Sequence, residues 1–336
     1  MFIVGIGGKI GTGKTSVAHY LSILYDGHVL PIAGSLKGLY LSVLGVNVFF
    51  PQKDVSARRA LQEYGSAGRS ISPSLWVSTL LSYFSSSDGS FKPTFIPDIR
   101  YPDEISFLRE KVGKERVFSV YLSHPLKEMN LPTEVTEHES EKTPPNIFDL
   151  VVTDPTFEEK IVRIVEFLGE RGYQPSPRKP RIYIGSNIHG SDDFPFVFTT
   201  LKERLEELGY VAVCPDDAED GTAWMDLVER SVFDDACATL VANTFNILSQ
   251  CDGGVFYLPK PSIGAAMEIF ALALQGKPIV IATPLSLFYH PWLRTFGKVV
   301  WETDTVNFTT TLQVLRDRLP PTYGEVVLKV CSRHRS

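Results

Sequence analysis

An apolar run, Phe2-Ile-Val-Gly-Ile6, leads straight into Gly8-Lys-Ile-Gly11-Thr-Gly13-Lys14-Thr15, and a helical pattern follows from Ser16 to Leu24. Strand, glycine-rich turn and helix in this order constrain the chain more than any other stretch. Small residues at Gly8, Gly11 and Gly13 let backbone N–H groups converge on phosphate oxygens, and the helix N-terminus adds its positive dipole end. The pattern predicts Lys14 on the outer phosphates and the Thr15 hydroxyl on Mg²⁺. A chance glycine-rich turn is the alternative, and the flanking strand and helix speak against it. The expectation is a bound nucleoside triphosphate.

A chain of 336 residues has room for two domains, and 43% apolar residues suffice for two cores. The net charge of −6 comes without a basic tract, which argues against a nucleic-acid surface. Cys214, Cys237, Cys251 and Cys331 have no metal-ligand spacing and read as reduced thiols. Met1 enters the first strand directly, leaving no room for a signal peptide, and no apolar run reaches the ~20 residues of a membrane span. These features predict a soluble, cytoplasmic protein.

After the first helix, Gly27 to Gly34 reads as a short strand, and Ser35-Leu-Lys37 opens a second helix. Arg58, Arg59 and Arg69 fall within twelve residues beside Gln62, and Arg58 and Arg69 are candidates for anion binding. Thr94-Phe-Ile-Pro-Asp98-Ile-Arg100-Tyr-Pro-Asp-Glu104 delivers Asp98 at a strand's C-terminal end, where ligands bind in open α/β sheets. There Asp98 can order Mg²⁺ or accept a hydrogen bond from the substrate, and Arg100 can pair with phosphate. The competing reading makes Asp98 a cap for the helix at Glu104 to Lys111. Strands over Arg116 to Ser123 and Asp149 to Thr153, and a helix over Thr156 to Gly172, complete this half.

These segments, with Arg58-Arg-Ala-Leu-Gln62-Glu-Tyr-Gly65 and His138-Glu-Ser-Glu141 before Phe148-Asp-Leu-Val-Val152, resemble phage-type deoxynucleoside monophosphate kinases over residues 1 to about 170. The resemblance implies phosphoryl transfer from ATP, with Mg²⁺, to a deoxynucleoside 5′-monophosphate. Catalysis would then rest on positioning and charge neutralisation by Lys14 and the arginines, with Lys37, Arg58 and Arg69 on the substrate. His138 is read as structural.

Tyr173-Gln-Pro-Ser-Pro-Arg-Lys-Pro180 holds three prolines in eight residues and reads as a stiff linker between residues 1–172 and 181–336. Beyond it the strand–helix alternation restarts. Strands are predicted at Arg181 onward, Tyr210 to Cys214, Gly253 to Leu258 and Pro278 to Ala282. Helices are predicted at Val197 to Leu208, Met225 to Leu248 (with a break near Ala238), Ile263 to Gln275 and Phe308 to Leu319. This alternation implies a second parallel sheet. With no second phosphate-binding loop, it is not a repeat of the first. Ser262 is placed to cap a helix, Gly264 to let a ligand approach the backbone, and Glu268 sits one turn inside among apolar neighbours. A solvated helix face is the plainer reading of that glutamate.

Tyr183-Ile-Gly185-Ser186-Asn-Ile-His-Gly190, Cys251-Asp252, Pro261-Ser262-Ile-Gly264-Ala-Ala-Met-Glu268 and Ala271 to Pro278 resemble the nucleoside 2-deoxyribosyltransferase superfamily, nearest its deoxynucleoside monophosphate N-glycosidases. The resemblance covers about residues 181 to 285 and implies a flavodoxin-like parallel α/β domain. It makes Glu268 the nucleophile on the anomeric carbon and Tyr183 its orienting partner. Ser186 and Ser262, with the helix N-terminus, would hold the 5′-phosphate, and Gly185 and Gly264 would also line the substrate site. It also implies a homo-oligomer. One departure stands out: the superfamily's usual aspartate eight residues before Asp252 is here Thr244, beside Asn243, with Asp234 and Asp235 farther upstream. The combined expectation is a bifunctional enzyme that phosphorylates one deoxynucleoside monophosphate and cleaves another, as modified-base DNA synthesis would require. A kinase with a non-catalytic nucleotide-binding or oligomerisation second half is the alternative. Phosphorylation of bases within DNA is a third reading, disfavoured by the missing basic stripe.

Overall fold

The computed structural model describes residues 2–34, 36–37, 55–80, 92–124, 138, 141–186, 194–214 and 233–319, without the side chains of 55–58, 194–195, 233–240, 243 and 292. Several predicted features therefore lie outside the described residues. They are the second helix beyond Lys37, the Arg58 side chain, the Asn187–Gly190 turn, residues 225–232, the side chains of Asp234, Asp235 and Asn243, and the tail. The chain forms two α/β units, each built on a five-stranded, all-parallel sheet with flanking helices. The described residues divide at Arg178 and Lys179.

The first unit runs β1 (Ile3–Gly8), α1 (Lys14–Leu24), β2 (His28–Val29), α2 (Val55–Ile71), α3 (Leu75–Ser78), β3 (Thr94–Ile96), α4 (Pro102–Val112), β4 (Val117–Leu122), β5 (Leu150–Val152) and α5 (Phe157–Gly169). Its strand order is β2-β3-β1-β4-β5. Alternate residues of β1 face opposite ways, so both faces of the sheet need cover. Phe2, Val4 and Ile6 pack with Val17, Leu21, Ile161, Ile164 and Leu168. Ile3 packs with Ile96, Ile99, Ile105 and Leu108 on the other side. Thr156 starts α5 with a capping box: its Oγ1 accepts from the Glu159 N–H at 3.2 Å, and the Glu159 carboxylate accepts from the Thr156 N–H at 3.2 Å.

The second unit runs β6 (Arg181–Ser186), α6 (Phe194–Glu207), β7 (Val211–Val213), α7 (Phe233–Gln250), β8 (Gly253–Tyr257), α8 (Ile263–Leu274), β9 (Ile279–Thr283), α9 (Leu285–Phe288), α10 (Pro291–Phe296), β10 (Lys298–Trp301) and α11 (Thr309–Arg318). The order β7-β6-β8-β9-β10 is the flavodoxin-like 2-1-3-4-5 arrangement, with its switch point between β6 and β8. α7 is continuous through Ala238, where the sequence predicted a break. Lys277, 7% exposed, donates to the Leu248 and Ser249 carbonyls at 2.8 Å each and so closes the C-terminus of α7.

The proline-rich stretch forms no helix or strand up to Arg181, yet it is held in place. Tyr173 packs on Phe2 and Phe118. The Ser176 and Arg178 N–H groups donate to the Leu24 and Ile23 carbonyls at the end of α1, and Arg178 pairs with Asp26 at 2.9 Å. The Pro180 carbonyl accepts from Val211 in the second unit.

Candidate functional sites

The turn between β1 and α1 is wound around three glycines with positive φ: 138° at Gly8, 84° at Gly11 and 85° at Gly13. A side chain is disfavoured at such angles, and at Gly8 a Cβ would also meet the Leu122 carbonyl at 2.5 Å. Lys14 folds back over this turn and donates to the Gly8 and Lys9 carbonyls at 2.6 and 2.7 Å. Burial first, then the Arg100 charge, pull the Lys14 amine down to about 7. An anion at the turn would reverse that balance and give the ammonium a stronger partner than two carbonyls. Thr15 lies exposed in the first turn of α1.

Beside the turn opens a cleft of about 140 Å³, lined by Lys37, Arg69, Asp98, Arg100, Glu104 and Glu141 together with Leu61, Gln62, Trp76 and Tyr101. The structure thus brings together Lys37, Arg69, Asp98 and Arg100, and Lys14 lies within electrostatic range of the last two. Arg69 stacks on Tyr101, its guanidinium carbon 3.4 Å from the ring centre. Arg100 pairs with the buried Glu141 carboxylate. Burial lowers the proton affinity of the Lys37 amine.

Asp98 has a different local partner from either sequence reading. Its two carboxylate oxygens accept from the Ile32 and Ala33 N–H groups at 2.8 and 2.7 Å, fixing the turn after β2. The start of α4 is instead closed by Glu104, which accepts from the Arg100 and Tyr101 N–H groups at 2.7 and 3.1 Å. Burial holds the Glu104 carboxyl up at about 7. Asp98 therefore caps a turn 66 residues away in sequence, and its carboxylate is only partly available to a ligand.

In the second unit, Tyr183, Gly185 and Ser186 lie on β6 and Glu268 on α8, the helix that follows β8. This places them at the sheet's switch point. Gly185 makes the approach possible: a Cβ there would stand 2.3 Å from the Phe256 ring and 3.0 Å from Glu268 Oε2. Tyr183 is fully buried, and its hydroxyl lies beside the Glu268 carboxylate. It lies near enough to Glu268 for each to shift the other's proton affinity. Burial raises Glu268 to about 7, against the opposing pull of the Tyr183 hydroxyl, and Tyr183 is itself pushed up by burial and by the Glu268 charge.

Ser262 caps α8, its Oγ accepting from the Ala265 N–H at 3.3 Å. The space around Gly264 is open. The Ser186 hydroxyl donates sideways to the Tyr257 carbonyl at 2.8 Å, tying β6 to β8. Thr244 is partly buried on α7. Asp252 accepts from the Arg181 N–H at 2.7 Å at the opposite end of the strands, so its place is structural. Trp76, Tyr101 and Glu141 in the cleft were not singled out for a role by sequence. Tyr101 and Glu141 lay inside segments that carry the kinase resemblance, and no sequence signal marked Trp76.

No family model matches the chain. A curated fission yeast relative, uncharacterized protein C191.05c of Schizosaccharomyces pombe, is 25% identical over 128 residues, covering 36% of this chain and 58% of that protein. The chain thus spans less than two thirds of that relative's length. Among solved structures, a 2-deoxyribosyltransferase from Bacillus psychrosaccharolyticus aligns with 38% of this chain and 90% of its own, at 16% identity and a TM-score of 0.28. Shikimate kinase from Acinetobacter baumannii, in complex with shikimate, aligns with 51% of this chain and 94% of its own, at 12% identity and a TM-score of 0.32. Among the described residues, no helix is long and apolar enough to cross a membrane.

Proposed function

We propose a bifunctional enzyme of deoxynucleotide metabolism. Its first unit phosphorylates a deoxynucleoside monophosphate with ATP, and its second cleaves the N-glycosidic bond of a deoxynucleoside monophosphate. The single observation that carries the reading is the Glu268 carboxylate, half-buried at the β6/β8 switch point against Gly185 and beside the Tyr183 hydroxyl. A carboxylate in that position is costly unless it has chemical work.

In the first unit, Lys14 would leave the Gly8 and Lys9 carbonyls for the outer phosphates of ATP. Arg100 and Lys37 would hold the acceptor's phosphate, and the cleft would place donor and acceptor in line. The oxygen donors of Thr15 and Asp98 suit Mg²⁺ or its waters, Asp98 with the lone pairs that its two backbone hydrogen bonds leave. Bound there, the ion would neutralise charge on the transferring phosphate. Among the described residues no group of three or more His, Cys, Asp or Glu forms a protein cage. A metal held largely by phosphates and water needs none.

In the second unit, ionised Glu268 would attack the anomeric carbon as its bond to the base breaks. The resulting deoxyribosyl ester would then be hydrolysed by water. Thr244 offers no carboxyl proton to the departing base, so that proton would come from solvent. This favours bases that leave readily, and it is also the observation behind a second reading, in which this unit binds nucleotides without cleaving them.

The test is free-base release from a panel of deoxynucleoside monophosphates, modified pyrimidines included, with ATP absent. ADP production on the same panel follows in parallel. Base release that disappears in Glu268→Ala supports the glycosidase. Silence across the panel leaves the binding module.

A further inference from the structure

Lys160 carries no role in the account so far, although burying a lysine side chain is costly. It is fully buried, in the first turn of α5, where the helix dipole also opposes a positive charge. Its ammonium donates to two carbonyls: Thr12 in the glycine-rich turn, at 3.2 Å, and His124 after β4, at 2.5 Å. Thr12 itself is 1% exposed, and its hydroxyl donates to the Lys9 carbonyl at 2.9 Å.

The geometry points to Lys160 as a positioning residue that orients the Gly13 amide toward the phosphates of ATP. In a trans peptide the carbonyl and the following N–H point in opposite directions. A Thr12 carbonyl drawn inward by Lys160 turns the Gly13 N–H outward, to the side of the turn that faces a ligand. The His124 contact ties the same ammonium to the exit of β4, so Lys160 cannot follow a turn that rotates away, and the Thr12 hydrogen bond is lost. The buried positive charge also sits behind the phosphate site and favours anions there. Lys14 and Lys160 thus divide the work: one reaches the phosphates from the front, the other fixes the backbone from behind.

This inference rests on ATP binding by the first unit, and the experiment separates the two. Binding of MgATP and of a deoxynucleoside monophosphate to the full chain is measured by titration calorimetry for wild type, Lys160→Met and Lys160→Arg. Loss of the positioning contact weakens MgATP by roughly 10- to 100-fold in Lys160→Met, as supporting contacts behind a ligand typically do, and leaves the monophosphate within about 2-fold. Lys160→Arg recovers most of the loss. A second measurement needs no variant: in wild type, the Gly13 amide resonance moves on addition of MgATP. Equal MgATP affinity in wild type and Lys160→Met, or a Gly13 resonance that stays still while MgATP binds, overturns the inference and leaves the kinase reading standing. Wild type that binds no MgATP overturns both.

Discussion

Replacing Glu268 by glutamine should make the protein more stable above neutral pH. Glu268 titrates at about 7 in the folded chain against 4.5 when exposed, because burial disfavours its charge. Between those values the folded state holds a proton that the unfolded state has lost. Stability therefore falls as pH rises through the window and levels off above about 7. Each pH unit in the window is worth about 1.4 kcal/mol, which over its width gives an upper bound of about 3.4 kcal/mol. Water reaching a partly exposed carboxylate reduces this, so about 1–3 kcal/mol is the working expectation. Glutamine keeps the shape and removes the charge. Glu104 contributes a slope of the same sign in both proteins, so the difference between them isolates Glu268. Urea unfolding at pH 5, 6, 7 and 8, followed by far-ultraviolet circular dichroism, reads the effect directly. The two proteins should nearly coincide at pH 5 and diverge by pH 8, with the glutamine form ahead. Parallel pH profiles, or a glutamine form less stable at pH 8, would refute the burial argument. The same ionisation should appear as base release that rises with pH through about 7, since the attacking group must be charged.

Asp98→Asn leaves one backbone N–H of the Ile32–Ala33 turn facing an amide that cannot accept it, and should cost about 1–3 kcal/mol in thermal unfolding. An unchanged melting temperature with ADP formation abolished would move Asp98 from the fold into the chemistry. Gly68→Ala should destabilise the first unit by about 1–3 kcal/mol despite alanine's better helix propensity. The new methyl would stand 2.4 Å from the Trp76 indole, which donates to the Gly65 carbonyl at 3.0 Å. A shifted tryptophan emission should accompany the loss, and a higher melting temperature would contradict it.

The elements that carry the candidate sites were readable because local patterns specify them. Glycines at fixed spacing before Lys14 demand one kind of turn, and a glutamate among Ala265, Ala266, Met267 and Ile269 advertises its own cost. Long-range partnerships were not readable. Asp98 meets backbone that lies 66 residues earlier, and no local signal distinguishes that from a metal ligand. Lys160 follows Glu158 and Glu159 at the start of its helix, where a lysine looks solvated; only the packing of α5 against the turn reveals it as buried. Strand β10 was missed because Lys298-Val-Val-Trp301 is short, and among the described residues its edge position gives it one neighbour, β9. Arg69 was legible as an anion-binding candidate, but its stacking on Tyr101 depends on α2 and α4 meeting across the cleft.

The docked proline segment changes where the chain can be cut. Residues as far as Arg178 complete the carbonyl end of α1, the helix that begins at the phosphate-binding turn, and Pro180 already belongs to the second sheet's edge. Between these two anchored residues the chain has Lys179 alone, a shorter join than the proline content implies. A gene fragment ending at Gly172 would remove Tyr173 from the Phe2 cluster and strip two carbonyls of their partners, at the far end of the helix that Lys14 begins. One ending after Arg178 would keep them. Any shuffling of these halves, in evolution or at the bench, has to respect that joint.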